Sequence, residues 1–324
     1  MNRRVFLGMA IGGALVGARA AAAQRPGRRA RVGALFPGGP GPGLAEFGRA
    51  IQRLGWVPGQ NLLVESRYAR GDLSRLPALA TELVGLPADV ILVSSVAIPA
   101  ARAATRTIPI VMAFAVNDPV EEGWAASLAR PGGNLTGLTL HAPELAAKRL
   151  ELARTVLPGI RRVGVLAWPR SAGSSQVQAA QQAARAQSLS SHVVEVGEVS
   201  GYAPAFEALE RERADVVLVL GSSPFFAERQ RIADLAIRHR LPVMAPFREV
   251  AEAGGLMAYG PNILELWGQR VPVYVDRILK GARAGDLPIE QPLTYELIVN
   301  VRTAKALGLT VPPSVLRRAD QVVE

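Results

Sequence analysis

Short apolar runs bounded by Gly, Pro or charged residues alternate along this chain with segments whose apolar positions recur at helical spacing. That alternation predicts an α/β protein built on parallel sheets. Strands are expected over Arg31–Phe36, Asn61–Tyr68, Asp89–Val93 and Ile108–Phe114. Between and after them, helical spacing covers Leu44–Leu54, Leu76–Leu86 and Ile98–Thr105, with Asp72 or Ser74 as the cap of the second. The cycle restarts with a helix over Glu144–Val156 and strands over Arg162–Ala167, His192–Val196, Asp215–Leu220 and Pro242–Ala245. Helices over Gln176–Gln187, Ala203–Arg213, Pro224–Arg238 and Glu249–Gly254 separate these strands. The continuous apolar runs DVILV and DVVLVL are those of strands covered on both faces.

The two halves echo each other. Arg31-Val32-Gly33-Ala34-Leu35 resembles Arg162-Val163-Gly164-Val165-Leu166, and Ala88–Ser95 resembles Ala214–Ser223. Two tandem β/α lobes follow from this, with linkers expected around His141–Pro143, Gly260–Asn262 and Asp286–Pro292.

The N-terminus departs from the pattern. Arg3-Arg4 precede a diluted apolar run from Val5 to Ala18, and Ala21-Ala22-Ala23 offers a small-residue cleavage site. Residues 1–23 therefore read as a cleaved export signal, and Arg3-Arg4-Val5-Phe6-Leu7 fits the twin-arginine type, a general secretory signal being the alternative. No run reaches the roughly 20 apolar residues of a membrane-spanning helix. The sequence has no cysteine, which removes both disulfides and the attachment point of a lipid anchor. A free periplasmic protein is expected.

Charge changes the picture little. The formal charge is +10, of which Arg3, Arg4 and Arg19 leave with the signal. The remaining arginines are scattered, apart from Arg25, Arg28, Arg29 and Arg31 at the expected mature N-terminus, so no nucleic-acid surface is predicted.

Enzyme signals fail one by one. Gly38-Gly39-Pro40-Gly41-Pro42-Gly43 before a helix, with Glu65 further on, suggests a dinucleotide loop. Pro40 and Pro42, however, have no N–H to offer a pyrophosphate, and the glycine order is wrong. His141, His192 and His239 lack metal-ligand spacing, and no G-x-S-x-G elbow is present. No cofactor and no catalysis are expected.

In open α/β sheets ligands sit beyond the carboxyl ends of the strands. The residues there are Phe36, Gly38, Ser94, Ser95 and Phe114 in the first half and Trp168, Ser222, Ser223, Phe247 and Arg248 in the second. The serine hydroxyls suit the polar head of a small solute and the aromatic rings its apolar body.

Several stretches carry a family resemblance: Leu54–Asn61 (LGWVPGQN), Asp72–Leu83, Asn117-Asp118-Pro119-Val120 with Ser127–Gly137, Glu144–Leu152, Glu252–Gly260 and Thr303–Leu309. Over residues 31–324 the chain resembles the substrate-binding proteins of bacterial ABC transporters, including those that bind tryptophan or tyrosine. The resemblance implies a type I periplasmic binding fold: two Rossmann-like lobes with parallel sheets and a three-crossing hinge. Lobe 1 would comprise residues 30–140 and 263–285, and lobe 2 residues 141–262 and 286–324. It further implies a monomer that captures a solute, an amino acid or an aromatic or carboxylate compound, and delivers it to an ABC permease and its ATPase. A departure from the family is the loop after the first strand, which is Gly/Pro only where relatives carry a serine. Other readings are an NAD-type enzyme and a solute-sensing partner of a membrane receptor.

Overall fold

In the computed structural model, residues 29–140, 144–169 and 175–324 are described. The expected signal segment 1–23 and the linker His141–Pro143 lie outside the described residues. Two sheets form the molecule. The first contains β1 (Ala30–Phe36), β2 (Leu62–Tyr68), β3 (Val90–Ser94), β4 (Ile110–Ala115), β5 (Leu135–Thr139) and, from far along the chain, β11 (Ile289–Glu290). The second contains β6 (Arg162–Ala167), β7 (Ser190–Glu195), β8 (Val216–Val219), β9 (Val243–Ala245), β10 (Met257–Gly260), β12 (Glu296–Asn300) and β13 (Gln321–Val323).

The strand orders are β11-β5-β4-β3-β1-β2 and β13-β12-β10-β9-β8-β6-β7, so the first five strands of each lobe have the same doubly wound order. The echo read in the sequence is this repeat: β1 and β6 are equivalent, as are β3 and β8. The repeated aspartate explains why those stretches look alike. Asp89 Oδ2 accepts the Arg31 amide at 2.8 Å, and Asp215 Oδ2 accepts the Arg162 amide at 2.8 Å. Each ties the start of one central strand to its neighbour. All pairings are parallel except β10 with β12.

Every residue of β3, β4 and β8 is buried, as strands between two helical layers must be. Helices Pro42–Arg53, Leu76–Gly85 and Ile98–Ala104 flank the first sheet. Trp267, on a helix that follows the second linker (Ile263–Gln269), packs on Phe36, so the chain returns to the first lobe after Gly260. Helices Glu144–Val156, Ser175–Ala186, Tyr202–Arg211 and Arg229–Arg238 flank the second sheet.

Three expectations change. A helix was expected over Pro224–Arg238; two stand there, Ser223–Ala227 and Arg229–Arg238, with Glu228 between them at φ −93° and ψ 18°. β5 has no alternating or apolar run to announce it. Its Gly137 is needed because a Cβ there would lie 2.2 Å from the Met112 carbonyl oxygen of β4. The first lobe also does not end at residue 285: Ile289 pairs with Gly137, and the return to the second sheet lies between Glu290 and Glu296. A two-residue strand flanked by Pro288 and Pro292 carries no strand signal.

Much of the resemblance-bearing sequence holds loops. In Gly55–Asn61 the Asn61 side chain accepts the Val57 amide at 2.6 Å and donates to the Gly55 carbonyl at 2.9 Å. Trp56 Nε1 donates to Asp276 Oδ1 at 2.9 Å, locking that turn to the helix Val271–Leu279. Asn134 donates to the Ile108 carbonyl at 2.7 Å.

Candidate functional site

The carboxyl ends of the central strands of both sheets face a cleft between the lobes. Its main compartment has a volume of about 810 Å³, within the range of small-molecule sites. Leu76, Pro77, Val96 and Pro99 from lobe 1 make an apolar wall. Trp168 and Pro169 from the end of β6 and Gly221 and Ser222 from the end of β8 make the opposite one. Asn117, Glu122 and Trp124, on the loop after β4, also line it. Trp168 also borders an outer compartment of about 280 Å³, whose walls include Gly38, Gly39, Arg70, Tyr202 and Glu228. The Tyr202 hydroxyl is buried there without a partner; burial first, and then Glu228, push its pKa up.

Ser95 is the most unusual residue of the main compartment. Its φ is +44°, a left-handed conformation that costs a non-glycine residue of order 1–2 kcal/mol. Its hydroxyl is buried at the wall with no hydrogen-bond partner. The hydroxyl thus stands at the cleft wall with its hydrogen-bonding capacity unused by the protein.

The lobes are tied at the base of the cleft by side chains rather than by sheet. Gln176, in the first turn of the helix Ser175–Ala186, accepts the Gly221 amide on Oε1 at 3.0 Å. Its Nε2 donates to Asn117 Oδ1 of lobe 1 at 3.2 Å and to the Gly221 carbonyl at 3.3 Å. Asn117 in turn donates to Glu122 Oε1 at 2.8 Å. Beside this network a chamber of about 40 Å³, lined by Val116, Gly221, Phe247 and Arg149, connects the walls of the two lobes. Arg149 Nε donates to the Tyr259 carbonyl at 2.8 Å, and burial pulls its guanidinium down to about 10. Phe114 and Phe247 meet across the lobes with ring centroids 6.3 Å apart.

The residues expected from strand ends divide accordingly. Ser95, Trp168 and Ser222 line the main compartment, and Gly38 the outer one. Ser222 caps the following helix, accepting the Phe225 amide at 3.2 Å. Ser94 is buried at the end of β3, and the Ser223 hydroxyl is buried without a partner; neither borders the cleft. Phe114 and Phe247 are buried between the lobes, with Phe247 at the edge of the small chamber. Phe36 is drawn into the core of lobe 1 between Tyr68 and Trp267. Arg248 borders a different cavity and is engaged by Glu296 at 2.6 Å and by Gln321.

Asn117, Glu122, Trp124 and Gln176 were not expected at the site. The loop signal Asn-Asp-Pro was visible, but only the docking of the second lobe makes it a cleft wall. Among the described residues no cluster of three or more His, Cys, Asp or Glu side chains could hold a metal, and no helix is long and apolar enough to cross a membrane.

Comparison with known proteins agrees with this architecture. The family model described as ABC transporter substrate binding protein matches residues 44–323. A "Tyrosine-binding protein" of Clostridioides difficile (strain R20291) is 28% identical over 268 residues, 81% of this chain and 75% of that protein. A conserved domain protein from Vibrio cholerae is 24% identical in sequence, with a TM-score of 0.83 over 91% of this chain and 100% of its own. An ABC domain from Streptococcus pneumonia, solved in complex with L-Trp, is 22% identical, with a TM-score of 0.82 over 91% of this chain and 100% of its own. At these identities the solved structures bear on the fold.

Proposed function

The chain belongs to the ABC transporter substrate-binding protein family, whose members bind small solutes without catalysis, and from that premise we propose that its cleft takes a small organic solute with a flat, aromatic-sized apolar body. The observation that supports this most is the composition of the main compartment. Trp168 and Trp124 supply aromatic side chains, Leu76, Val96 and Pro99 an apolar wall, and Ser95, Asn117 and Ser222 a short polar rim. The tyrosine-binding relative and the tryptophan-bound structural neighbour favour an aromatic amino acid or a close analogue as the cargo. Ser95, Trp168 and Ser222 are the contacts we assign to it, with Gly38 at the outer edge.

In this reading residues 1–23 direct export by the twin-arginine route and are removed, and the mature protein works free in the periplasm as a monomer. Solute binding shifts the lobes toward a closed state that the permease recognises, and the ATPase drives release into the translocation path.

A thermal-shift and calorimetry panel of aromatic amino acids, aromatic acids, sugars and NAD tests it. A solute present at 100 times its dissociation constant adds about 2.7 kcal/mol of stability. A shift with aromatic solutes supports the reading; a shift with NAD alone, or with sugars alone, overturns it.

A further inference from the structure

We propose that this cleft selects its solute by a positively charged amine, and that Glu122 is the residue that reads it. The inference deepens the solute-binding reading above and rests on it. Although Lys and Arg outnumber Asp and Glu by 37 to 27 in the sequence, the described residues lining the main compartment include one charged side chain, and it is an acid. Arg70 belongs to the outer compartment, beyond Trp168. Within the main compartment an anionic group therefore meets hydroxyls and amides, whereas an ammonium meets a carboxylate.

Glu122 is positioned for that task. Its Oε1 accepts from Asn117 Nδ2 at 2.8 Å, which leaves Oε2 for a second donor. The loop beneath it is closed by backbone hydrogen bonds. The amide of Glu122 donates to the Asp118 carbonyl at 3.0 Å, that of Gly123 to Val120 at 2.9 Å, and that of Trp124 to Pro119 at 2.8 Å. The nearby Arg102 guanidinium donates to the Gly123 carbonyl at 3.2 Å, pinning the loop. Asn117 is itself held from the opposite lobe by Gln176, so the carboxylate belongs to the network that ties the lobes together. Glu122 is exposed in this structure, as a group at the wall of an open cleft is. Trp124 and Trp168 line the same compartment, and indole rings beside a carboxylate suit a cation carried on an aromatic body.

The test uses three probes sharing one phenol ring: tyramine, L-tyrosine and 3-(4-hydroxyphenyl)propionate, titrated by calorimetry into the wild-type protein and Glu122→Gln. The two amine-bearing probes should bind about tenfold more tightly than the propionate, the size of one charge-assisted hydrogen bond. Glu122→Gln should lose about that factor for both amines and leave the propionate within roughly twofold. Propionate binding by Glu122→Gln shows that this variant folds; should it bind no probe, Glu122→Asp, which keeps a carboxylate at the position, takes its place, and an amine preference retained there keeps the assignment while its loss overturns it. If the propionate binds as tightly as the amines, or the variant leaves their ratio unchanged, the assignment to Glu122 fails while the aromatic-solute reading stands. If no phenolic probe binds the wild-type protein, both fail together.

Discussion

Gln176 of the second lobe and Asn117 of the first are joined by a hydrogen bond of 3.2 Å at the base of the cleft. Both residues are already committed on their own side, Gln176 to Gly221 and Asn117 to Glu122. The pair therefore reports lobe opening. Gln176→Leu removes it and also strips the Gly221 amide of its acceptor, which should cost about 1–3 kcal/mol. Urea unfolding would measure the loss, and small-angle scattering should show a more open ligand-free particle. A variant as stable and as compact as the wild type would refute the hinge role.

Ser95 should show the trade between strain and binding. Ser95→Gly releases a left-handed conformation at φ +44° but removes the unpaired hydroxyl at the cleft wall. Relief of strain and the larger entropy of glycine oppose each other, so the thermal midpoint should rise or hold. Affinity for a solute found by the panel should fall about fivefold or more, as expected for one lost hydrogen bond. Stability lost together with unchanged affinity would assign Ser95 to folding instead.

The repeat that the sequence displayed is a repeat of anchoring. Asp89 and Asp215 recur because each starts a central strand by holding an amide of its neighbour, and that chemistry sits in a local, apolar context that pattern-reading detects. β5 and β11 escaped because their pairing is decided by the approach of other strands: Gly137 fits against Met112, and Ile289 against Gly137. The site was legible only in part for the same reason. A strand end tells that a residue lies near the cleft, not which way its side chain is drawn. Phe36 is taken by Trp267, more than two hundred positions away in the chain, and Arg248 by Glu296 and Gln321. Asn117, Glu122 and Gln176 gain their setting from the meeting of two lobes, which no local pattern encodes.

Stability should fall with rising pH through Glu249. Burial pushes its carboxyl up, its neighbour Glu252 adds to this, and the backbone bond, Arg248 and Arg229 only partly oppose it. Beyond that contact with its own backbone, neither oxygen has a hydrogen-bond partner. The folded state thus holds this proton to higher pH than the unfolded chain does. Stability is unaffected below the unfolded value, near 4.3, and declines as pH rises from there through the folded value. Glu249→Gln removes the decline, so it should be more stable than wild type at neutral pH and approach it near pH 4. Urea midpoints across that interval decide the matter; a constant offset at every pH would rule out titration as the cause.

The second crossing between the lobes depends on the absence of one side chain. A Cβ at Gly260 would lie 1.9 Å from the Pro246 carbonyl oxygen and 2.9 Å from its carbon, and backbone atoms cannot yield as a flexible side chain can. Pro246 precedes Phe247, which meets Phe114 of the other lobe, while Gly260 leads into Asn262, whose side chain caps the helix Ile263–Gln269 and donates to Glu296 Oε1 at 3.0 Å. Gly260→Ala must therefore push β10 away from the segment that carries the interlobe aromatic contact. A cost of about 1–3 kcal/mol or more is expected, the range of overpacking in a closed interior. Gly41→Ala is the control, since a Cβ there has nothing within 4 Å and its φ of −142° suits any residue. That variant should stay within about 0.5 kcal/mol of wild type. Urea unfolding of both variants separates the cases: if Gly260→Ala tracks Gly41→Ala, the crossing tolerates displacement and does not constrain the lobes.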